Sequence, residues 1–473
     1  MKDLIKRIVS ASAVLFVSAA VLSGFPAGTL KASAGEVYDI YVGKERVETS
    51  NCKDILGNGV FSYEPETSTL TINGNYGYES AELISSNIED LTVNVIGDSE
   101  LKGYFYFYKD TTITGTGKLS LSTSDSLNAI TLYGGTRLTI MDADLDISGC
   151  NAISGSIRGT QDIYISGSYI NAHGKEAAIC DLNTVSIFRC DITKPAYCFW
   201  GEGGIYEADM TTYAKDVRMI PSYDLWIDEN KVNADNCHDI LDNGIFSYDP
   251  VQKMLTISGS FDHPMDQELI YSSEKGLIIN VTEDSEIPGY TVLHEDTVIT
   301  GKGVFITGTG TSSGNSITAI ANHNCKLTID NTRLMALGHV GIGTTTGSID
   351  IYNSDVLAAG SEQAFAFAPD SFNIYDGNLS FPSPYTVGNN TIYDGGSKAA
   401  KMVAIERLKV KGDINGDGII NVTDLSLAAA YVKGKRSLNE DQESRADISG
   451  DGKITITDIS IIAAHIKGKK AIV

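Results

Sequence analysis

The sequence predicts a mainly β protein: two tandem right-handed parallel β-helix units followed by a small α-helical module. Three observations predict it. The chain contains a long internal duplication, a strand-turn-strand figure recurs inside each copy, and helical apolar spacing is confined to the last sixty or so residues.

The first residues carry Lys2, Lys6 and Arg7, followed by a nearly uncharged apolar run from Ile8 to Leu22 and the small residues Ala32, Ser33 and Ala34. This order reads as a secretory signal peptide over residues 1–34, with the mature chain starting near Gly35. The first cysteine is Cys52, outside this leader, so lipid attachment at a processed N-terminal cysteine is not indicated. No second long apolar stretch follows. The expectation is a secreted, extracellular protein with no membrane span after cleavage.

The duplication is plain by eye. YDIYVGKERVETSNCKDILGNGVFSYEPETSTLTING, from Tyr38, aligns without a gap to YDLWIDENKVNADNCHDILDNGIFSYDPVQKMLTISG, from Tyr223, with about half the positions identical. GDSELKGY and EDSEIPGY match further on, as do DTTITGTG from Asp110 and DTVITGKG from Asp296. The units are therefore read as residues 35–220 and 221–405, leaving 406–473 as a separate module. The segments from Tyr38 to Gly74 and from Tyr223 to Gly259 are expected to cap the two stacks, because an uncapped stack exposes unpaired strand edges.

Inside each unit apolar residues fall as a pair two apart and then five residues on: Leu138, Ile140 and Leu145; Ile163, Ile165 and Ile170; Val185, Ile187 and Ile192. The second unit repeats it with Leu327, Ile329 and Leu334, then Ile349, Ile351 and Val356, then Phe372, Ile374 and Leu379. Spacing two is strand alternation, and the gap, holding residues such as Asp144, Ser166, Gly167, Asn353 and Gly377, reads as a turn. The figure returns every 22 to 25 residues, which fits one rung of a solenoid. A β-sandwich also has short strands and many turns, but it does not require a nearly fixed period.

Composition narrows the partners. With 60 Asp plus Glu against 36 Lys plus Arg, the formal charge is -24, and no basic cluster tracks a phosphate backbone; nucleic acid is excluded as an expected partner. The seven cysteines, from Cys52 to Cys325, are too scattered for a disulfide framework or a zinc hook and read as small core residues.

Two twelve-residue stretches carry the strongest chemical signal. DINGDGIINVTD from Asp413 and DISGDGKITITD from Asp447 place oxygen-bearing side chains at alternate positions around a glycine turn, as a calcium loop requires. In the first loop the ligand positions are Asp413, Asn415, Asp417, the Ile419 carbonyl, Asn421 and Asp424. In the second they are Asp447, Ser449, Asp451, the Lys453 carbonyl, Thr455 and Asp458. An EF-hand ends its loop on Glu and has helices on both sides. Here the last position is Asp, LKVKG before Asp413 is too short for a helix, and LSLAAAYVKGK and ISIIAAHIKGKK after the loops are helical in pattern.

Loop and single helix in tandem, over about residues 412 to 470, resemble a type I dockerin. That resemblance implies two bound calcium ions and docking onto a cohesin of a scaffoldin, in either of two orientations. Carried over by position, the cohesin contacts would be Val422, Thr423, Ala429 and Ala430 with Ile456, Thr457, Ala463 and Ala464. Better-studied dockerins carry Ser-Thr and Lys-Arg pairs at these places; their lack here looks more like the dockerins of gut and rumen fibre degraders.

The solenoid pattern resembles the β-helix carbohydrate-binding proteins found beside dockerins, whose fold is shared with pectate lyases and polygalacturonases. Plant cell-wall polysaccharide is the partner this implies. Among the 23 tyrosines, Tyr104, Tyr106 and Tyr108 share one face of a strand and form a sugar platform if they point outward, or core if they point inward. Trp200 and Trp226, near the junction of the units, read as packing residues. Asp142, Asp144 and Asp146 are the first place to look for a hydrolytic carboxyl pair, but they fall in a rung turn, where Asp is common for conformational reasons. The motifs of polygalacturonases are not present in order. Arg189 beside Asp191 and Arg333 near Asp330 read as exposed ion pairs rather than lyase bases. Three functions stay open: a dockerin-borne polysaccharide binder, a β-helix polysaccharide hydrolase or lyase, and a non-catalytic structural adhesin.

Overall fold

Alternation of apolar and polar residues becomes a β-solenoid of about 13 turns. The computed structural model describes residues 35–308, 310 and 316–472, so the leader expected at 1–34 lies outside the described residues. Strand accounts for 51% and helix for 7%, which makes the chain mainly β. The helices all lie after residue 420.

One turn shows how the sequence builds the stack. In Arg137–Met141, Leu138 and Ile140 point into the core while their neighbours face out. Parallel pairing sets Leu138 beside Ile163 and Ile140 beside Ile165, and the next turn continues with Val185 and Ile187. Asp142 then takes a left-handed backbone at φ 47°, and the chain turns into Asp144–Gly155. Leu145 and Ile147 face inward there, the register shifts between Gly149 and Asn151, and Ile153 enters the core on a third face. Each full turn therefore carries three short inward-facing runs. Two of them match the expected figure. The third, seen alone as Ile130–Leu132, is too short to stand out as a period.

The aspartates expected in the turn separate accordingly. Asp142 occupies it, whereas Asp144 and Asp146 lie on the following strand, where Lys118 Nζ is 3.2 Å from Asp146. The left-handed position recurs at Gly167, Arg189, Asn331, Asn353 and Asp376. Asn, Asp and Gly tolerate that geometry, which explains five of the six.

The spacing is looser than 22 to 25 residues across the whole stack. Val93 pairs with Ile113, 20 residues on, and Ile299 with Ile329, 30 residues on. Extra residues are absorbed where the chain crosses between faces, outside the stacked core. Gly115 shows where it cannot vary: its φ is 139°, and a Cβ would lie 2.0 Å from the Val95 carbonyl oxygen of the turn below. Gly301 repeats this against Val281 in the second copy.

Antiparallel strands close both ends of each stack. Val37–Val42 pairs with Glu45–Glu48, and Phe61–Glu64 with Thr69–Ile72, before parallel pairing begins. Asp216–Ile227 runs antiparallel to Tyr169–Cys180 and Cys190–Lys194, and its last residues pair with Asn230–Asn233 and Glu268–Ser272. One strand thus closes the first stack and opens the second. Met402–Arg407 closes the second stack against Asp355–Ala366 and Gly377–Phe381. Three cores result: one from Ile40 to Met219, one from Tyr223 to Ile405, and a small third one in the tail.

The cysteines are free thiols, and five of the seven are buried. Cys52 and Cys237, equivalent in the two copies, each donate to a backbone carbonyl three residues earlier. The two expected ion pairs form differently. Asp191 pairs with Lys231 at 2.8 Å and Arg333 with Asp284 at 3.5 Å, because in a parallel stack the nearest outward neighbours lie on adjacent turns rather than along the chain.

Candidate calcium loops and aromatic row

The tail contains α1 (Val422–Val432), α2 (Glu440–Ala446) and α3 (Ile456–Ile466). The second loop therefore has a short helix before it as well as one after it. The seven residues of α2 were too few for an apolar period to show.

In the first loop Asp413 Oδ1 accepts from the amides of Gly416 and Asp417, and Oδ2 from Gly418 at 2.9 Å. Asp424, fully buried, accepts from Ile414 and Asn415 at the loop start and from Asn421 at the helix entry. Asn421 caps α1 by accepting from Thr423, so the ninth loop position doubles as N-cap. The second loop repeats this: Asp447 accepts from Gly450, Asp451 and Gly452, Asp458 from Ser449 and Thr455, and Thr455 caps α3. The folding logic is local. An Asp at loop position twelve is also N3 of its helix, closing a capping box and the loop together.

The donors suit a hard cation. Every ligand position supplies oxygen, and Asp413 and Asp424 are both withdrawn from water within one loop. Burial pushes the Asp413 carboxyl above the usual range; amide donation from Gly418 opposes this and the neighbouring Asp424 adds to it. A divalent ion relieves both the burial cost and the repulsion. Arg445 is the cation nearby, with Nη1 3.8 Å from Asp413 Oδ2 and Nη2 2.6 Å from Asp441. The loop pattern gave no hint of it. In the second loop Asp447 lies below the usual range, chiefly through donation by Gly452. Burial works against ionised Asp458, but hydrogen bonds from Ser449 and Thr455 hold it low. Among the described residues no three His, Cys, Asp or Glu side chains converge for a metal ion; the remaining loop ligands are amide, hydroxyl and carbonyl oxygens.

The carried-over cohesin contacts lie on or beside the helix surfaces. Val422 is 63% and Ile456 67% exposed, at the same step of the two repeats. Thr423 and Thr457 beside them are exposed, and Ala429, Ala430, Ala463 and Ala464 are half-buried. Two large apolar side chains held in water at equivalent positions make a self-similar surface.

On the first unit, Tyr104 and Tyr106 lie half-buried on the outer face of Ser99–Phe107, with Phe105 and Phe107 buried beneath. Tyr108 follows the strand and is exposed. Tyr133, from the next turn, completes the row: its ring centroid lies 4.7 Å from Tyr108, nearly parallel, and 5.4 Å from Tyr106, edge-on. The rung spacing from Tyr108 could have found it. Burial pushes the Tyr106 hydroxyl up to about 12, with Tyr133 and Tyr104 adding to the shift. Trp200 does not pack as expected; it is exposed on a hairpin. Trp226 is half-buried on the outer sheet face against Tyr271.

Residues 411–467 match the family described as the dockerin type I domain. No curated protein matches the chain, and no solved structure does. Type I dockerins are calcium-binding domains and imply docking onto a cohesin in a cellulosome-type assembly. No helix of the described residues is long and apolar enough to cross a membrane.

Proposed function

We propose that this chain, which carries a type I dockerin domain at residues 411–467, is a secreted component that docks onto a scaffoldin cohesin and holds plant polysaccharide with its solenoid. Calcium fills each loop, one ion through Asp413, Asn415, Asp417, Ile419, Asn421 and Asp424, the other through Asp447, Ser449, Asp451, Lys453, Thr455 and Asp458. Val422 with Thr423, or Ile456 with Thr457, faces the cohesin. The near-identity of the two faces supports binding in two orientations.

The units 35–220 and 221–405 supply the polysaccharide surface, and the leader 1–34 directs export. The observation that carries the docking part is the paired loop-and-helix geometry with its exposed Val422 and Ile456. For the sugar part it is the outward row of Tyr104, Tyr106 and Tyr108 over a buried phenylalanine layer. Tethering to a scaffold raises the local concentration of sugar sites, so weak contacts suffice. A pull-down of full-length protein on an immobilised type I cohesin, with calcium or with EDTA, tests the first part. Retention on insoluble cellulose, xylan or pectin, reduced in Tyr106→Ala, tests the second.

A further inference from the structure

The aromatic side chains projecting from the first unit are of two kinds. Those of the tyrosine row lie against one another, and Tyr108 has a ring face covered by Tyr133. Tyr197, Phe199 and Trp200 have no ring partner among the described residues. They lie at the hairpin formed by Cys198–Trp200 and Ile205–Glu207, where Tyr197 is 81% and Trp200 51% exposed. Both faces of such rings stand open to a ligand.

These rings wall an open cleft of about 660 Å³, with Phe188, Arg189 and Asp191 on its other sides. A second hollow of about 530 Å³, containing Tyr164, Arg137 and Asp162, shares Phe188 with the first. Phe188 and Tyr164 stack with centroids 5.0 Å apart. The two hollows therefore form one elongated surface running from Trp200 past Phe188 to Tyr164.

Polar groups are set along the same path. Asp191 is fixed by Lys231 at 2.8 Å and Asn233 at 3.3 Å, and Asp162 by Asn183 and Thr184. The guanidinium groups of Arg189 and Arg137 have no hydrogen-bond or ion-pair partner among the described residues. Arg189 also occupies the left-handed turn position that Asp, Asn or Gly fills in the other five turns. A long cationic side chain at a position suited to short ones points to a role outside the turn itself.

We propose that this cleft binds a linear chain of pyranose rings. Such rings pair apolar C–H faces with a rim of hydroxyls, which fits free aromatic faces flanked by fixed carboxylates and unpaired guanidinium groups. The elongated shape suits several sugar units in line. The inference rests on the polysaccharide-binding reading above and adds a contact surface distinct from the tyrosine row. The second copy offers an internal comparison: aligned on Pro195 with Pro382 and on Ile205-Tyr206 with Ile392-Tyr393, its hairpin has Thr386 and Val387 where the first has Phe199 and Trp200.

The test is titration of full-length protein with cellohexaose, xylohexaose and hexagalacturonate by calorimetry. Phe199→Thr with Trp200→Val copies the sister hairpin, and an unchanged melting temperature confirms that it folds. The double variant should lose at least tenfold in affinity for whichever oligosaccharide the wild type binds, and Phe188→Ala should lose it too. Wild-type affinity in the double variant overturns the cleft while leaving polysaccharide binding intact. Failure of the wild type to bind any of the three overturns both.

Discussion

In the solenoid, Leu70, Val93, Ile113, Ile140, Ile165 and Ile187 stack turn upon turn in one continuous column. In the tail only Ile414, Ala428, Leu438, Ala446 and Ile462 are buried apolar residues, under two loops whose acidic side chains face each other. The first region is stabilised by burial repeated along an axis, where each turn seals the one beneath it. The second buries too little to stand alone, and the missing stabilisation has to come from an ion bound only in the folded form. One chain thus joins a body indifferent to calcium to a plug that depends on it.

Removing calcium should separate the two regions most sharply. EDTA is expected to abolish cohesin binding by the full chain and to remove the helical circular dichroism, while the strand signal and its melting transition stay. A tail that keeps its helices in chelator would break the comparison. Next in size is Phe365→Ala. It empties a fully buried site in the second stack and should cost about 3–5 kcal/mol of solenoid stability by denaturant melts, leaving calcium affinity unchanged.

Gly115→Ala should cost at least about 1–3 kcal/mol, from its left-handed backbone and the overlap with Val95, and Gly301→Ala a similar amount. Asp424→Asn sharpens the tail side: calcium uptake should drop from two ions to one, with affinity of the first loop down about a hundredfold by titration.

The smallest effect is at Asp350. Burial opposes its ionisation, but Lys326 at 2.7 Å and Asn373 at 2.8 Å hold its carboxyl below the usual range. Its stabilisation is therefore present above the ordinary carboxylate pKa and lost as pH falls through the lowered value. Lys326→Met should remove about 1 kcal/mol at neutral pH and flatten the acid limb of the melting curve.

Much of this was legible in the residues. Pairs such as Leu138 and Ile140 gave the strands, because spacing two against a buried face has one structural meaning. The duplication gave two similar stacks, and the loop pattern from Asp413 gave the tail. Other features were hidden for physical reasons. Ile130–Leu132 is too short to display a period, α2 has no apolar stripe, and Tyr133 reaches its partners only through the stacking of turns. Trp200 was misread as packing because proximity to the junction in sequence says nothing of which way a hairpin points. The same limit applies to Arg189, whose sequence neighbour Asp191 pairs instead with Lys231.

Hydrogen exchange followed by mass spectrometry on the full chain, with calcium and then with EDTA, tests the division most directly. Peptides covering 411–467 should lose their protection in chelator while those from 35 to 405 keep theirs. Equal protection of the tail in both conditions, or loss spread through the solenoid, would contradict it.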